Sequence, residues 1–411
     1  MTKVSLSALY PHADIPHQEM RYRQVLSAFT SRFGQKDVRF FSAPGRSELC
    51  GNHTDHQKGN VLACAIERDA IAVAACRQDD QVILLSEDFG EFSLSLSDLT
   101  ANTAEIGTPT ALLRGTLAGL QHRGYAIGGA ELYVTSDVLS GSGLSSSAAF
   151  EVLLGAVFSG LYNDNRIAPL VLAQVGQEAE RNYFGKPCGL LDQTACAFGG
   201  LVRIDFSGDV PAVENMAIDL SKFGYCLCLV DTKASHDALT DAYAAIPGEM
   251  GDVAAFFGKS VLQDVDESAF RAAIPDLRKA CGDRAVMRAM HYFAENARAI
   301  SAVIALKRDD FPAFLEVIFS SGSSSYRFLQ NVTAPGSSRK QNLALGLCVS
   351  EAILADNGVC RVHGGGFAGT LQAFVKTPFL EQYRREIETV FGPGACLCTS
   401  VRPYGATEVC L

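Results

Sequence analysis

Leu139-Ser140-Gly141-Ser142-Gly143-Leu144-Ser145-Ser146-Ser147-Ala148-Ala149 is the stretch on which the fold turns. It follows a strand-like run at 129–136 and opens an apolar, helix-like run that continues to residue 161. Glycines let a backbone approach an anion closely. The first turn of a helix adds unpaired N–H groups and a positive dipole end. Strand, glycine–serine loop and helix together form a phosphate-binding arrangement. The serine hydroxyls can add hydrogen bonds or reach a magnesium ion. No Gly-Lys-Ser/Thr closes the loop, so it is not a Walker A sequence. A glycine turn with a serine N-cap reads the same stretch without any ligand.

Three further stretches carry candidate chemistry. Upstream, Pro44-Gly45-Arg46-Ser47-Glu48-Leu49-Cys50-Gly51-Asn52-His53-Thr54-Asp55-His56 crowds polar groups between strand-like runs. Its arginine, Asn-His pair and aspartate can hold a polyhydroxylated ligand by charge-assisted hydrogen bonds. A solvated loop, or a metal cluster of Asn52, His53 and His56, is the alternative. Downstream, Gly185-Lys186-Pro187-Cys188-Gly189-Leu190-Leu191-Asp192-Gln193 places Asp192 among apolar residues at a helix start. That aspartate reads as a helix N-cap or buried ion pair, or as the carboxylate that takes the proton of an attacking hydroxyl. Arg361-Val362-His363-Gly364-Gly365-Gly366-Phe367-Ala368-Gly369 puts consecutive glycines behind a strand. That suits close backbone approach to a ligand or another loop.

The spacing around these stretches predicts further elements. Helices are expected at 18–33, 109–124, 169–183, 190–198 and 340–354, and 267–306 and 310–319 read as helix-rich. Strands are expected at 38–43, ending at Pro44-Gly45, and at 200–206, 225–230, 360–362 and 370–376. Residues 61–75 read as strands around a turn, and 81–96 as a hairpin. The chain has 411 residues, and single cores stop growing near ~250–300. Two domains are therefore expected, 1–210 and 211–411.

A formal net charge of −10 argues against a general binder of nucleic acid or anionic membrane. No apolar run reaches the ~20 residues of a spanning helix. Residues 1–16 lack a signal-peptide core. The 13 cysteines are odd in number and scattered, which fits buried thiols in a reducing cytoplasm. Cys226 and Cys228 fall on one face of a strand.

Taken in order, the four stretches resemble the GHMP small-molecule kinases, and specifically the galactokinases. The similarity lies in Gly45-Arg46 through Asp55, Gly143 through Ala148, Pro187 through Gln193, and Gly364-Gly365-Gly366-Phe367 with Gly369. Weaker similarity continues through 297–314 and Gly405-Ala406. The resemblance implies an α+β, two-domain fold with the active site in the interdomain cleft. It implies ATP and Mg²⁺ as cofactors and phosphorylation of galactose at the C1 hydroxyl. Asp192 and Arg46 take the catalytic positions. Gly141, Ser142, Gly143, Leu144, Ser145, Ser146 and Ser147 hold the nucleotide phosphates, with Ser146 and Glu180 on the metal side. Asn52, His53, Asp55, Gly189 and Tyr243 fall where the family contacts sugar. The expected partner is a sugar, with no nucleic acid and no membrane, and the chain is expected to act as a monomer.

Some positions depart from that pattern. Asn52 replaces the usual glutamate facing the sugar's C6 hydroxyl, Glu48 replaces an asparagine, and Ala368 replaces a glycine. Residues 320–338, with a serine run at 320–325, also differ. An amide at C6 can donate to a carboxylate that a glutamate would repel. This keeps galacturonate, N-acetylgalactosamine and arabinose as alternative substrates. A catalytically silent sensor is the rival of a different class, and an intact Ser145-Ser146-Ser147-Ala148 with Asp192 argues against it.

Overall fold

The computed structural model describes residues 3–138, 144–234, 239–336, 339–367 and 369–411. Its backbone is organised by two sheets. The larger is centred on strand Asn60–Cys76. One edge of that strand pairs with Arg39–Cys50. The other pairs with Leu201–Asp205 over its first part and Ala130–Ser136 over its second. Helices cover both faces of the strand, which explains its almost unbroken apolar sequence.

Two expectations are corrected here. Residues 61–75 are not strands around a turn; one strand, Asn60–Cys76, runs straight through. Asp69 is fully buried, and its carboxylate is neutralised by Arg21 at 3.0 Å and Arg402 at 2.9 Å. Strand Arg39–Cys50 likewise does not end at Pro44-Gly45. It continues through register shifts between Pro44 and Arg46 and between Glu48 and Cys50. Proline has no N–H for the ladder, and a bulge accommodates it and re-aims the residues that follow.

The smaller sheet is antiparallel, in the order Gly358–Val362, Thr370–Lys376, Tyr225–Asp231, Cys396–Thr399. Helix Asp283–Lys307 packs on the larger sheet and Phe311–Ser324 on strand Gly358–Val362. Side chains from both sheets, such as Val61 and Phe374, share one core with Ala302 and Phe314 of these helices. Helices Thr240–Phe256 and Leu380–Phe391 were not read from the sequence.

Strand Ala212–Met216 still pairs with Leu201–Asp205, and Thr407–Cys410 returns to pair with Arg39–Cys50. Both belong to the larger sheet, although both lie beyond residue 210. All 13 cysteines are free. Among the described residues no helix is long and apolar enough to cross a membrane.

Candidate active site

The helix expected after the phosphate loop is Ser146–Asn163. Gly141, Ser142 and Gly143 lie outside the described residues, so the site is built from Leu144 onward. Leu144 O accepts from Arg46 N at 3.2 Å, which ties the loop to strand Arg39–Cys50. A Cβ on Gly45 would come within 3.0 Å of the same carbonyl, so this close approach suits glycine. Ser145 holds the N-cap position at φ +62° but does not cap the helix. Its hydroxyl donates to Asp192 Oδ2 instead.

Asp192 stands in the first turn of helix Leu191–Phe198. Arg46 donates to both its oxygens, Nε to Oδ1 and Nη2 to Oδ2, each at 2.8 Å. Arg46 is buried, while the Asp192 side chain keeps 36% of its surface open. Burial pushes the Asp192 carboxyl up. The Arg46 charge and hydrogen bonds outweigh it, Ser145 adds to them, and the pKa falls below the usual value. Asp192 is thus an ion-paired, partly accessible carboxylate.

The second acid, Glu180, begins the wide turn Glu180–Phe184 after helix Pro169–Ala179. It accepts from Ser147 Oγ at 2.8 Å, Lys186 Nζ at 2.9 Å and Gln193 Nε2 at 2.9 Å. Ser146, expected on the metal side, is the first residue of helix Ser146–Asn163. The hydroxyl that reaches Glu180 comes from Ser147, because one residue along a helix rotates the side chain by about 100°. Glu151, also buried, shares the Gln193 amide at 3.1 Å. Burial, reinforced by the charge of Glu180, pushes its carboxyl well up.

Around the sugar loop the structure changes one role. Asn52 is fully buried, and both ends of its amide are taken by the protein. Nδ2 donates to Glu48 Oε1 at 3.0 Å and to Gly364 O at 2.7 Å. Oδ1 accepts from Asn331 Nδ2 at 2.8 Å and Ser325 Oγ at 3.2 Å. Two donated and two accepted bonds fill the amide. Asn52, expected to offer a donor to a C6 substituent, spends both donors on the protein in this structure. Glu48 in turn pairs with the buried Arg361 at 3.3 Å.

His53 sits at φ +60°, and its Nε2–H donates to Gly365 O at 3.0 Å. That fixes Nδ1 as a bare acceptor, buried and without a protein partner. Burial, with His56 adding to it, pushes this imidazole down to about 3. Asp55 and Gly189 are brought together: a Cβ on Gly189 would lie 1.9 Å from Asp55 Oδ2. Tyr243, on helix Thr240–Phe256, donates to Gly366 O at 2.8 Å and sets its ring edge against Phe367. A Cβ on Gly365 would stand 2.6 Å from the Tyr243 ring. The glycine run thus admits both the tyrosine and the polar loop.

Sequence reading missed several residues that build this side. Glu295 Oε1 accepts from Gly51 N at 2.9 Å, and His291 Nε2 donates to Asn52 O at 2.9 Å. Ser324 Oγ donates to His291 Nδ1 at 2.9 Å. The serine run, noted only as a departure, is therefore part of the clamp on the sugar loop. His363 is buried with neither ring nitrogen paired, and Asn331 Oδ1 is also unpaired. Only the Arg361–Gly369 motif itself pointed toward His363.

Comparison with known proteins is consistent with this geometry. Residues 27–76 match the galactokinase galactose-binding signature, and residues 111–200 match the GHMP kinase N-terminal domain. The structure resembles Lactococcus lactis galactokinase complexed with galactose at a TM-score of 0.82 and 24% identity, covering 95% of this chain and 100% of that one. Methanococcus jannaschii mevalonate kinase shares the fold at TM-score 0.63 and 14% identity, over 89% of this chain and 99% of that one. A D-glycero-D-manno-heptose 1-phosphate kinase from Bacteriodes thetaiotaomicron does so at 0.61 and 16%, over 91% and 99%. The galactokinase signature falls on the Arg46–Asp55 loop and the GHMP kinase N-terminal domain on the Ser145–Asp192 frame, so the two parts of the site each lie within a matched segment.

Proposed function

We propose that the protein transfers the γ-phosphoryl group of ATP to the C1 hydroxyl of galactose, giving galactose 1-phosphate and ADP. The observation that carries this reading is the bidentate Arg46–Asp192 pair, joined by Ser145 at the start of the helix that also presents Ser147 to Glu180. Bound Mg²⁺–ATP supplies the phosphoryl group and neutralises its charge. The donors suit that ion: Glu180 and Ser147 offer hard oxygens, and phosphates and waters complete such a site. Among the described residues no group of three or more His, Cys, Asp or Glu could hold a metal, and a magnesium shared with phosphates does not need one.

Asp192 receives the proton of the C1 hydroxyl and orients it. Its lowered pKa makes it a modest base, so orientation is the larger part of its work. Arg46 fixes Asp192 and places positive charge beside the transferring group. On the sugar side His53 Nδ1, Asp55 and Tyr243 take ring hydroxyls, next to the close approach of Gly189. Buried polar atoms without protein partners, His53 Nδ1 and Asn331 Oδ1, support a hydroxyl-rich ligand there. Thirteen free thiols support a reducing, cytoplasmic setting.

A coupled ADP-release assay over galactose, galacturonate, N-acetylgalactosamine, arabinose and glucose tests the proposal. Galactose should be the preferred substrate. Turnover of another sugar with none of galactose would overturn it.

A further inference from the structure

Glu180 Oε1 accepts two hydrogen bonds, from Ser147 Oγ at 2.8 Å and from Lys186 Nζ at 2.9 Å. Glu180 is 2% exposed, and Glu151 is buried beside it on the shared Gln193 amide. Glu151 is held neutral there, and a carboxylate at Glu180 in the same desolvated space needs a compensating positive charge. Lys186 supplies it from the solvent side, with 58% of its own side chain exposed. Gly185, at φ +86°, turns the chain back so that Lys186 N bonds to Glu180 O at 3.0 Å. The ammonium is a point charge on a flexible stem. A cation held in this way is free to leave.

We infer that Lys186 is a displaceable counter-ion built into the nucleotide site. It rests on Glu180 in the empty site and swings to the phosphates when a nucleotide enters, which leaves Glu180 Oε1 open to a divalent cation. The inference rests on reading Glu180 and Ser147 as the metal side. Its consequences are two. The ammonium competes with Mg²⁺ for Glu180 Oε1, which weakens metal binding. It also attracts the phosphates of metal-free nucleotide, which strengthens that complex.

The test compares wild type with Lys186→Met, Lys186→Arg and Glu180→Gln. Calorimetry with ADP in EDTA reads metal-free nucleotide binding. Thermal melting of the ADP complex against a MgCl₂ titration reads the metal. Lys186→Met should bind metal-free ADP about two- to fivefold more weakly, the range of a partly exposed ion pair. It should need less Mg²⁺ for half-maximal stabilisation by a similar factor, and Lys186→Arg should restore ADP binding. If Lys186→Met changes neither quantity while Glu180→Gln loses the Mg²⁺ response, the inference is overturned and the reading of Glu180 stands. A Glu180→Gln protein that keeps the full Mg²⁺ response overturns the reading of the metal side, and the inference with it.

Discussion

The phosphate side and the sugar side of this site are held in different ways. Arg46, Ser145, Ser147, Glu180 and Asp192 all precede residue 200, and they pair directly, Arg46 and Ser145 with Asp192 and Ser147 with Glu180. The sugar loop at Gly51-Asn52-His53 is instead clamped by His291, Glu295, Ser325, Asn331, Gly364 and Gly365. A reaction that depends on one well-placed ion pair is served by neighbours in one part of the fold. A pocket that must discriminate hydroxyls draws on a buried polar network reaching across the chain, whose members depend on each other.

The sharpest break of that comparison is Asp192→Asn. Arg46 and Ser145 would still find an acceptor, so fold and ATP binding should survive. Turnover should fall by about 10²–10⁴-fold, the usual loss for a general base. Because the carboxyl is held below its usual value, it is ionised across neutral pH. No Asp192 inflection is expected in kcat between about pH 5 and 9. Near-normal kcat in the purified variant, with ATP affinity checked by calorimetry, would remove Asp192 from the chemistry.

On the sugar side the counterpart is a charge exchange. Asn52→Glu would set a second carboxylate against Glu48 where both positions are buried. Glu48→Asn would leave Arg361 without its carboxylate. At pH 8, where Glu48 is ionised, each single change should cost about 3 kcal/mol in urea unfolding. Combining them recreates a carboxylate–amide pair, and about 1–3 kcal/mol should be recovered as coupling. Strictly additive losses would show that Glu48 and Asn52 do not act as a pair.

That exchange also marks where sequence ran out. The ion pair of Arg46 and Asp192 and the convergence of Asp55 with Gly189 were legible, because each motif needs only its own residue types. The role of Asn52 was not. A buried amide looks the same in sequence whether a ligand or Ser325 and Asn331 fills it, and those partners lie some 270 residues further on. The turn expected within 61–75 failed for the same reason: Asp69 stays inside one continuous strand because Arg21 and Arg402, distant in sequence, neutralise it.

A smaller effect should appear with pH. Burial pushes Glu48 up to about 7, against the pull of Arg361, Arg46 and Asn52. The folded protein then keeps a proton that the unfolded chain releases at lower pH. Stability from this group therefore falls as pH rises from about 4.5 to 7. Buried neutral His53, His291 and His363 act in the opposite sense, losing stability as pH falls below the ordinary histidine value. Comparison with Glu48→Gln cancels the histidines. The variant should gain on wild type by about 3 kcal/mol across that window. A constant difference from pH 4.5 to 8 would mean that Glu48 is already ionised in the fold.

The smallest expected effect is the most discriminating between the two sides. Ser325 is fully buried, and its hydroxyl donates to Asn52 Oδ1 at 3.2 Å. Ser325→Ala removes that bond, but Asn331 Nδ2 still donates to the same oxygen at 2.8 Å. No acceptor is orphaned, so the cost should be near one ordinary hydrogen bond, about 0.5–1.5 kcal/mol. Its place decides what the loss does. Asn52 holds Glu48 and Gly364 O together, and Gly364 adjoins Gly365, where His53 is anchored. Loosening Asn52 should therefore loosen the sugar pocket and raise KM for galactose by a few-fold. The Arg46–Asp192 pair shares no hydrogen bond with Ser325, so kcat should hold. Steady-state kinetics on a galactose titration separates the two parameters. A fall in kcat at unchanged KM would mean that the polar network reaches the phosphate side, and the two halves of the site would have to be treated as one.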